Sequence, residues 1–182
     1  TKYERAPYDW YCESPRAVEQ IFAGLPDGFF ADDLIWDPCC GRGNILDVAE
    51  RWGHPTHGGD VVDRYPRHKF TRGNVLNTSK APRIPGRNTS VISNTPYHYV
   101  PRIAEQIMAH LLEERFDLRR QVYIVPIAFL AGQERWRGQK FQGRWRPSHT
   151  LIYTERHTMP PGHLMETMAN PFEGGMADYA VV

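Results

Sequence analysis

Cysteine is scarce in this 182-residue chain, which has three, and two of them, Cys39 and Cys40, are adjacent. Neighbouring cysteines rarely bridge, so a disulfide framework is excluded and a reducing compartment, the cytoplasm, is expected. The spacing is not the Cys-x2-Cys of a tetrahedral zinc site, and although His54 and His57 lie close by, no metal is expected. Long apolar runs are also missing. The longest, such as Val122 to Leu130, fall short of the roughly 20 residues a membrane helix needs, and no charged-then-apolar leader is seen. Charge of one sign is not in excess, because 22 Lys+Arg against 21 Asp+Glu leave a formal net charge of +1. Affinity for nucleic acid would have to come from a local patch. There is no internal repeat, and no Gly-x-Ser-x-Gly elbow to anchor a serine hydrolase. What is present is an ordinary globular composition, 41% hydrophobic and 24% charged, on a length that predicts a single domain over 1–182.

The pattern along the chain alternates strands and helices. Ser14-Pro15 supplies an N-cap and an N1 proline, and Val18, Ile21, Phe22 and Leu25 follow at helical spacing. Leu34-Ile35-Trp36 reads as a strand and Ile45 to Trp52 as the helix after it. Further strands are predicted at Thr56 to Val62, Val91 to Ser93 and Gln121 to Leu130, with a helix carrying Ile103, Ile107 and Leu111 between the last two. Thr150 to Tyr153 and Tyr179 to Val182 read as late strands around an irregular loop, Met159 to Met176. The fold class is therefore α/β, a mostly parallel, doubly wound sheet with an antiparallel end.

Two loops carry the chemistry. The first, Asp37-Pro38-Cys39-Cys40-Gly41-Arg42-Gly43-Asn44, joins the first strand to its helix, where glycines let backbone approach a ligand and helix-start amides offer donors. A dinucleotide fold would want a third glycine, but Leu46 stands there, which weakens a nicotinamide reading. Asp37 suits a zwitterionic ligand whose ammonium needs a carboxylate. Asp60, at the end of the next strand, is placed to accept bonds from a ribose diol, with Asp63 as a competitor for that role. The two cysteines read as small packing residues. The second loop, Asn94-Thr95-Pro96-Tyr97-His98-Tyr99, puts an amide, a proline and an aromatic ring at the same sheet edge. Taken alone it is also a common turn sequence.

Together the loops resemble motifs I and IV of the amino-group S-adenosylmethionine (SAM)-dependent methyltransferases. The resemblance is strongest to the adenine-N6 DNA methyltransferases of bacterial and phage orphan type, whose signature is Asp/Asn-Pro-Pro-Tyr/Phe. Tyr11-Cys12-Glu13-Ser14-Pro15 resembles the family's N-terminal motif X, and the order along the chain matches. The resemblance implies a Rossmann-like class I methyltransferase domain with SAM as cofactor. Its cofactor site would draw on Tyr11, Ser14, Asp37, Pro38, Cys39, Gly41, Gly43, Asn44, Asp60, Asn74 and Val75. The catalytic loop would be Asn94, Thr95, Pro96 and Tyr97. Two positions depart from the pattern: Thr95 replaces the first proline, and Asn74 stands where an Asp often binds the adenine amine, a bond an Asn carbonyl can still accept.

The implied reaction is methyl transfer to the exocyclic N6 amine of adenine in DNA, with Tyr97 stacking on the extruded base and Tyr99 or His98 lining the pocket. The stretch from Arg135 to Pro147 interleaves basic and aromatic residues. Arg135, Trp136, Arg137, Arg144, Trp145 and Arg146 are its candidate nucleic-acid contacts, near the same sheet edge; its bland alternative is a solvated helix anchored by tryptophans. No target-recognition domain is seen, so specificity could come from a partner. Other readings are an rRNA or protein-glutamine N-methyltransferase using the same loop, and a non-catalytic SAM or nucleic-acid-binding module.

Overall fold

The computed structural model describes residues 6–65, 69–97, 102–130, 146–175 and 177–182. Within them the apolar runs form strands β1 (Leu34–Asp37), β2 (Thr56–Asp60), β3 (Phe70–Arg72), β4 (Thr89–Ser93), β5 (Leu118–Pro126), β6 (Leu151–Ile152) and β7 (Tyr179–Val181). The helices are α1 (Pro15–Gly24), α2 (Asn44–Arg51), α3 (Ile103–Leu111) and the single turn α4 (Ile127–Leu130). One sheet takes all the strands in the order β3-β2-β1-β4-β5-β7-β6. Strands β1 to β5 are parallel, and β7 runs antiparallel to both β5 and β6. This is the expected Rossmann-like class I fold, with the antiparallel end at the late strands.

Strand periodicity sorts the core into two layers. Ile35, Ile92, Val122 and Ile124 join the cluster that α1 and α2 cover. Their neighbours Trp36, Val91, Tyr123 and Val125 join the cluster under α3, as alternation of side chains across a sheet requires. Helix α1 starts where the Ser14 hydroxyl accepts the Ala17 N–H at 3.1 Å, and it buries Ala17, Val18, Ile21 and Phe22. Burying each of the larger three contributes about 1.5 to 3 kcal/mol. In α3 the i, i+4, i+8 series of Ile103, Ile107 and Leu111 is buried as the pattern predicts.

Several boundaries differ from the sequence expectation. β5 begins at Leu118 and stops at Pro126, and Ile127–Leu130 turns helical. Pairing decides this: Leu118 sits opposite Thr89, the β7 ladder ends at Pro126 opposite Tyr179, and β-branched composition alone cannot mark those limits. β2 ends at Asp60 and not at Val62, because the Val62 N–H folds back onto the Asp60 carboxylate at 3.2 Å, an Asx turn that breaks the strand. The 159–176 loop is mostly irregular but contains a 3-10 turn at Gly162–Leu164. No helix among the described residues is long and apolar enough to cross a membrane.

From β1 the chain winds to β2 and β3 on one side, then restarts at β4 on the other. The carboxyl ends of β1 and β4 therefore flank a switch point, where open α/β sheets form their ligand crevice. Asp37 ends β1 and Ser93 ends β4, and the Ser93 hydroxyl bridges them, donating to Asp37 Oδ1 at 2.7 Å.

Candidate functional site

A cavity of about 300 Å3 opens at this switch point. Pro38 and Cys39 line it after β1, Asp60 and Val61 after β2, Gly73 to Leu76 after β3, and Asn94 and Pro96 after β4. Ile103, Gln106 and Ile107 of α3 close one side, and the strap Tyr8 to Tyr11 closes another. Of the residues expected from sequence, Tyr11, Pro38, Cys39, Asp60, Asn74, Val75, Asn94 and Pro96 thus share one cavity, although they come from five separate segments.

The carboxylate at the end of β2 is held firmly. Asp60 Oδ2 accepts the Gly41 N–H at 2.9 Å, and Oδ1 faces Arg64 at 3.5 Å. Asp63, the competing acid, is exposed and does not line the cavity. Asn74 lines the wall with its side-chain oxygen already accepting the Leu76 N–H at 3.0 Å, which leaves a second lone pair for a ligand. Cys39 lines the wall as a thiol, since burial and the Asp37 charge push its pKa well above the usual value. It is a packing group and not a nucleophile.

Other expected residues lie behind this surface. Asp37 is 1% exposed, and its Oδ1 accepts from the Cys39 N–H at 3.0 Å and from Ser93. Burial, then the charge of Glu13, raises its pKa well above the carboxylate range. It braces the loop from beneath the cavity wall, which corrects its expected position. Ser14 caps α1 and does not line the cavity. The faces of Gly41 and Gly43 are covered by this chain's own aromatics: a Cβ on Gly41 would meet Trp10 Nε1 at 2.8 Å, and one on Gly43 would collide with the Tyr65 ring. Both glycines have positive φ, +50° and +85°, so the turn needs them whatever approaches it. Asn44 ties the loop to the N-terminal segment by donating Nδ2 to the Glu13 carbonyl at 2.8 Å.

At the β4 end, the Asn94 amide nitrogen meets three acceptors, the Tyr11 carbonyl and a Glu13 carboxylate oxygen at 3.3 Å each and Met159 Sδ at 3.6 Å. Thr95 is buried. The Tyr97 backbone N–H donates to Asp9 Oδ2 at 2.6 Å, while its hydroxyl donates to the Ile124 carbonyl. The Tyr97 ring is thus directed toward the sheet, beside Phe129 at 6.5 Å, and does not line the cavity.

Sequence reasoning missed three groups. Asp9 lines the cavity and holds the Asn94 turn from a 3-10 turn in which Tyr8 and Asp9 both have positive φ; nothing in Pro-Tyr-Asp signals that. Arg64 pairs with Asp60 and lies 4.3 Å above the Trp10 ring. Glu13 stood inside the motif X segment, and its burial, invisible in sequence, makes it notable. Arg146 lies elsewhere, lining a second cavity with Arg119, Arg120 and His149. That cavity borders the start of β5, at the opposite end of the sheet from Asn94. Tyr99, Arg135, Trp136, Arg137, Arg144 and Trp145 fall outside the described residues, as does His98.

No protein-family model matches the chain, and no curated protein matches it at a significant level. Among solved structures, a proposed type II methyltransferase from Anaeromyxobacter dehalogenans aligns over 94% of this chain and 93% of its own, with 13% identity and a TM-score of 0.42.

Proposed function

We propose that this chain is a SAM-dependent N-methyltransferase that acts on the exocyclic N6 amine of adenine in DNA. The observation that carries the reading is the Asn94-Thr95-Pro96 turn at the switch point, with its amide nitrogen held by acceptors and its side chain on a cavity shared with Asp60. The cavity suits SAM in chemistry. Asp60 would take the ribose hydroxyls, and Asp9, which holds the Tyr97 N–H, lies on the same wall. Val75, Leu76, Ile103 and Ile107 would enclose the flat adenine, with Asn74 at its edge.

SAM supplies an electrophilic methyl on a sulfonium sulfur, which leaves as a neutral thioether. The task for the chain is to make a poor nucleophile competent, because the amine's lone pair is delocalised into the base. The Asn94 side-chain oxygen and the Thr95 carbonyl would accept its two N–H bonds, draw the nitrogen toward tetrahedral geometry and hold it in line with the methyl. Methylation leaves the nitrogen cationic and strongly acidic, so its proton would pass to solvent water after the transfer and a strong general base is not required.

The test is transfer of labelled methyl from SAM to separate pools of DNA, RNA and protein. Label on DNA adenine is the expected result, while label on RNA or protein would move the substrate to one of those classes. Asn94→Ala is expected to lower transfer by about a hundredfold or more while SAM affinity by calorimetry stays near wild type. Turnover retained in that variant would end the reading. One observation favours the non-catalytic alternative, namely the Tyr97 hydroxyl bonded to Ile124 with its ring off the cavity. Absence of label in every pool, with SAM bound, would establish it.

A further inference from the structure

We infer that Glu13 is a positioning residue whose buried carboxylate, together with the Tyr11 carbonyl, fixes the Asn94 amide so that its side-chain carbonyl is presented to the target amine. The inference rests on the role proposed for Asn94 and adds to it the group that makes the role possible. A primary amide has two orientations that fill nearly the same volume. One offers an oxygen to the cavity and the other an NH2, and only the oxygen can accept an N–H from an amine.

The surroundings select one of them. Every group around the Asn94 nitrogen is an acceptor: the Tyr11 carbonyl, Glu13 Oε2 and the Met159 sulfur. Turning the amide over would set its oxygen against the Tyr11 carbonyl and, with Glu13 ionised, against a carboxylate. No donor among the described residues meets Asn94 Oδ1, so that oxygen stays available at the cavity wall.

Glu13 is itself locked in place. It is 6% exposed, its carbonyl takes the Asn44 side chain, and the Ile45 N–H at the start of α2 approaches its carboxylate. No Lys or Arg among the described residues pairs with it. A buried acid without a counter-ion costs stability, and apolar packing would have filled the space at less expense. Orienting Asn94 gives the carboxylate a purpose that packing does not.

The experiment compares Glu13→Ala and Glu13→Gln by steady-state methyl transfer at saturating SAM, by SAM calorimetry, and by the Asn94 side-chain NH2 signal in 15N NMR of the cofactor-free protein. That signal is assigned by its loss in Asn94→Ala. Glu13→Ala is expected to lower kcat by about tenfold or more with little change in SAM affinity, because the amide samples both orientations. Its NH2 signal should shift or double. Glu13→Gln keeps an acceptor oxygen, so it should recover most of the turnover and the wild-type signal. Wild-type kcat and an unmoved signal in Glu13→Ala would overturn the inference, as would equal loss in both variants. Collapse of SAM affinity with kcat preserved would overturn it in favour of a cofactor ligand. Should Glu13→Ala fail to fold, the Glu13→Gln spectrum decides, with a displaced NH2 signal counting against. Asn94→Ala separates the two levels: full turnover there removes the proposed function itself, whereas its loss beside an unaffected Glu13→Ala removes only the inference.

Discussion

A single carboxylate, Asp60, collects the amide protons of Gly41 and Val62 and the guanidinium of Arg64. It therefore joins the glycine loop to the end of β2 while facing the cavity. Asp60→Ala is expected to weaken SAM binding more than tenfold by calorimetry, the size of a lost charge-assisted bond; unchanged affinity would point to a different ligand. Glu13 makes a pH prediction. Burial raises its carboxyl from 4.5 to about 7, and the titratable neighbour Asp37 is buried beside it with its own pKa raised. A folded-state value above the unfolded one means the protonated form favours folding. That contribution is complete below the unfolded value and is lost as pH rises through about 7. By linkage the change is at most about 3 kcal/mol. Urea unfolding should therefore show Glu13→Gln gaining on wild type by up to that amount between about pH 4 and pH 8. A constant difference between the two proteins would mean that the carboxyl titrates normally.

Helix starts and strand ends, at the next scale, do most of the positioning. Ser14 fixes where α1 begins, and the residues just before it, Tyr11 and Glu13, reach Asn94. The N-terminal strap is held by Cys12 N–H to Pro160 at 2.9 Å and Gly162 N–H to Trp10 at 2.9 Å, so the late loop supports the site from outside the sheet. Since the Ser14 hydroxyl serves the helix, Ser14→Ala should cost about 1 kcal/mol of stability, read as a lower melting temperature, with SAM affinity held. Affinity lost with stability unchanged would make Ser14 a cofactor ligand after all. Much of this level was legible in sequence. Ser14-Pro15 gave the cap, the i, i+4, i+8 apolar series gave α3, and Gly41 and Gly43 gave the turn. Strand limits were not, because β5 ends where its antiparallel partner β7 begins and β2 ends where a side chain captures its own backbone.

For the molecule as a whole, the net charge of +1 places any DNA affinity in a local feature. The basic-aromatic stretch remains the proposed DNA-binding segment, with Arg146 set apart at the far end of the sheet. Neutralising Arg135, Arg137 and Arg144 together is expected to weaken DNA binding and flatten its salt dependence by about 0.9 in log K per log salt for each phosphate no longer neutralised. Arg146→Ala alone should leave the slope unchanged. A slope unaltered in the triple variant would assign the stretch to structure and move the DNA face to the 159–176 loop.

The alternation of apolar runs and helical periods determined by itself that a doubly wound α/β sheet would form, because burial of one strand face and one helix stripe is a local pattern repeated along the chain. The loops after β1 and β4 were likewise marked by their own residues. Which side chains meet across the crevice was decided only by the tertiary structure. Asp60 lines the cavity and Asp63 does not, Asp37 braces from behind, Trp10 and Tyr65 cover the glycines, and Glu13 with Tyr11 turns the Asn94 amide. These pairings join residues as many as 83 positions apart. No local pattern encodes them, since they follow from strand order and from the burial that the completed sheet imposes.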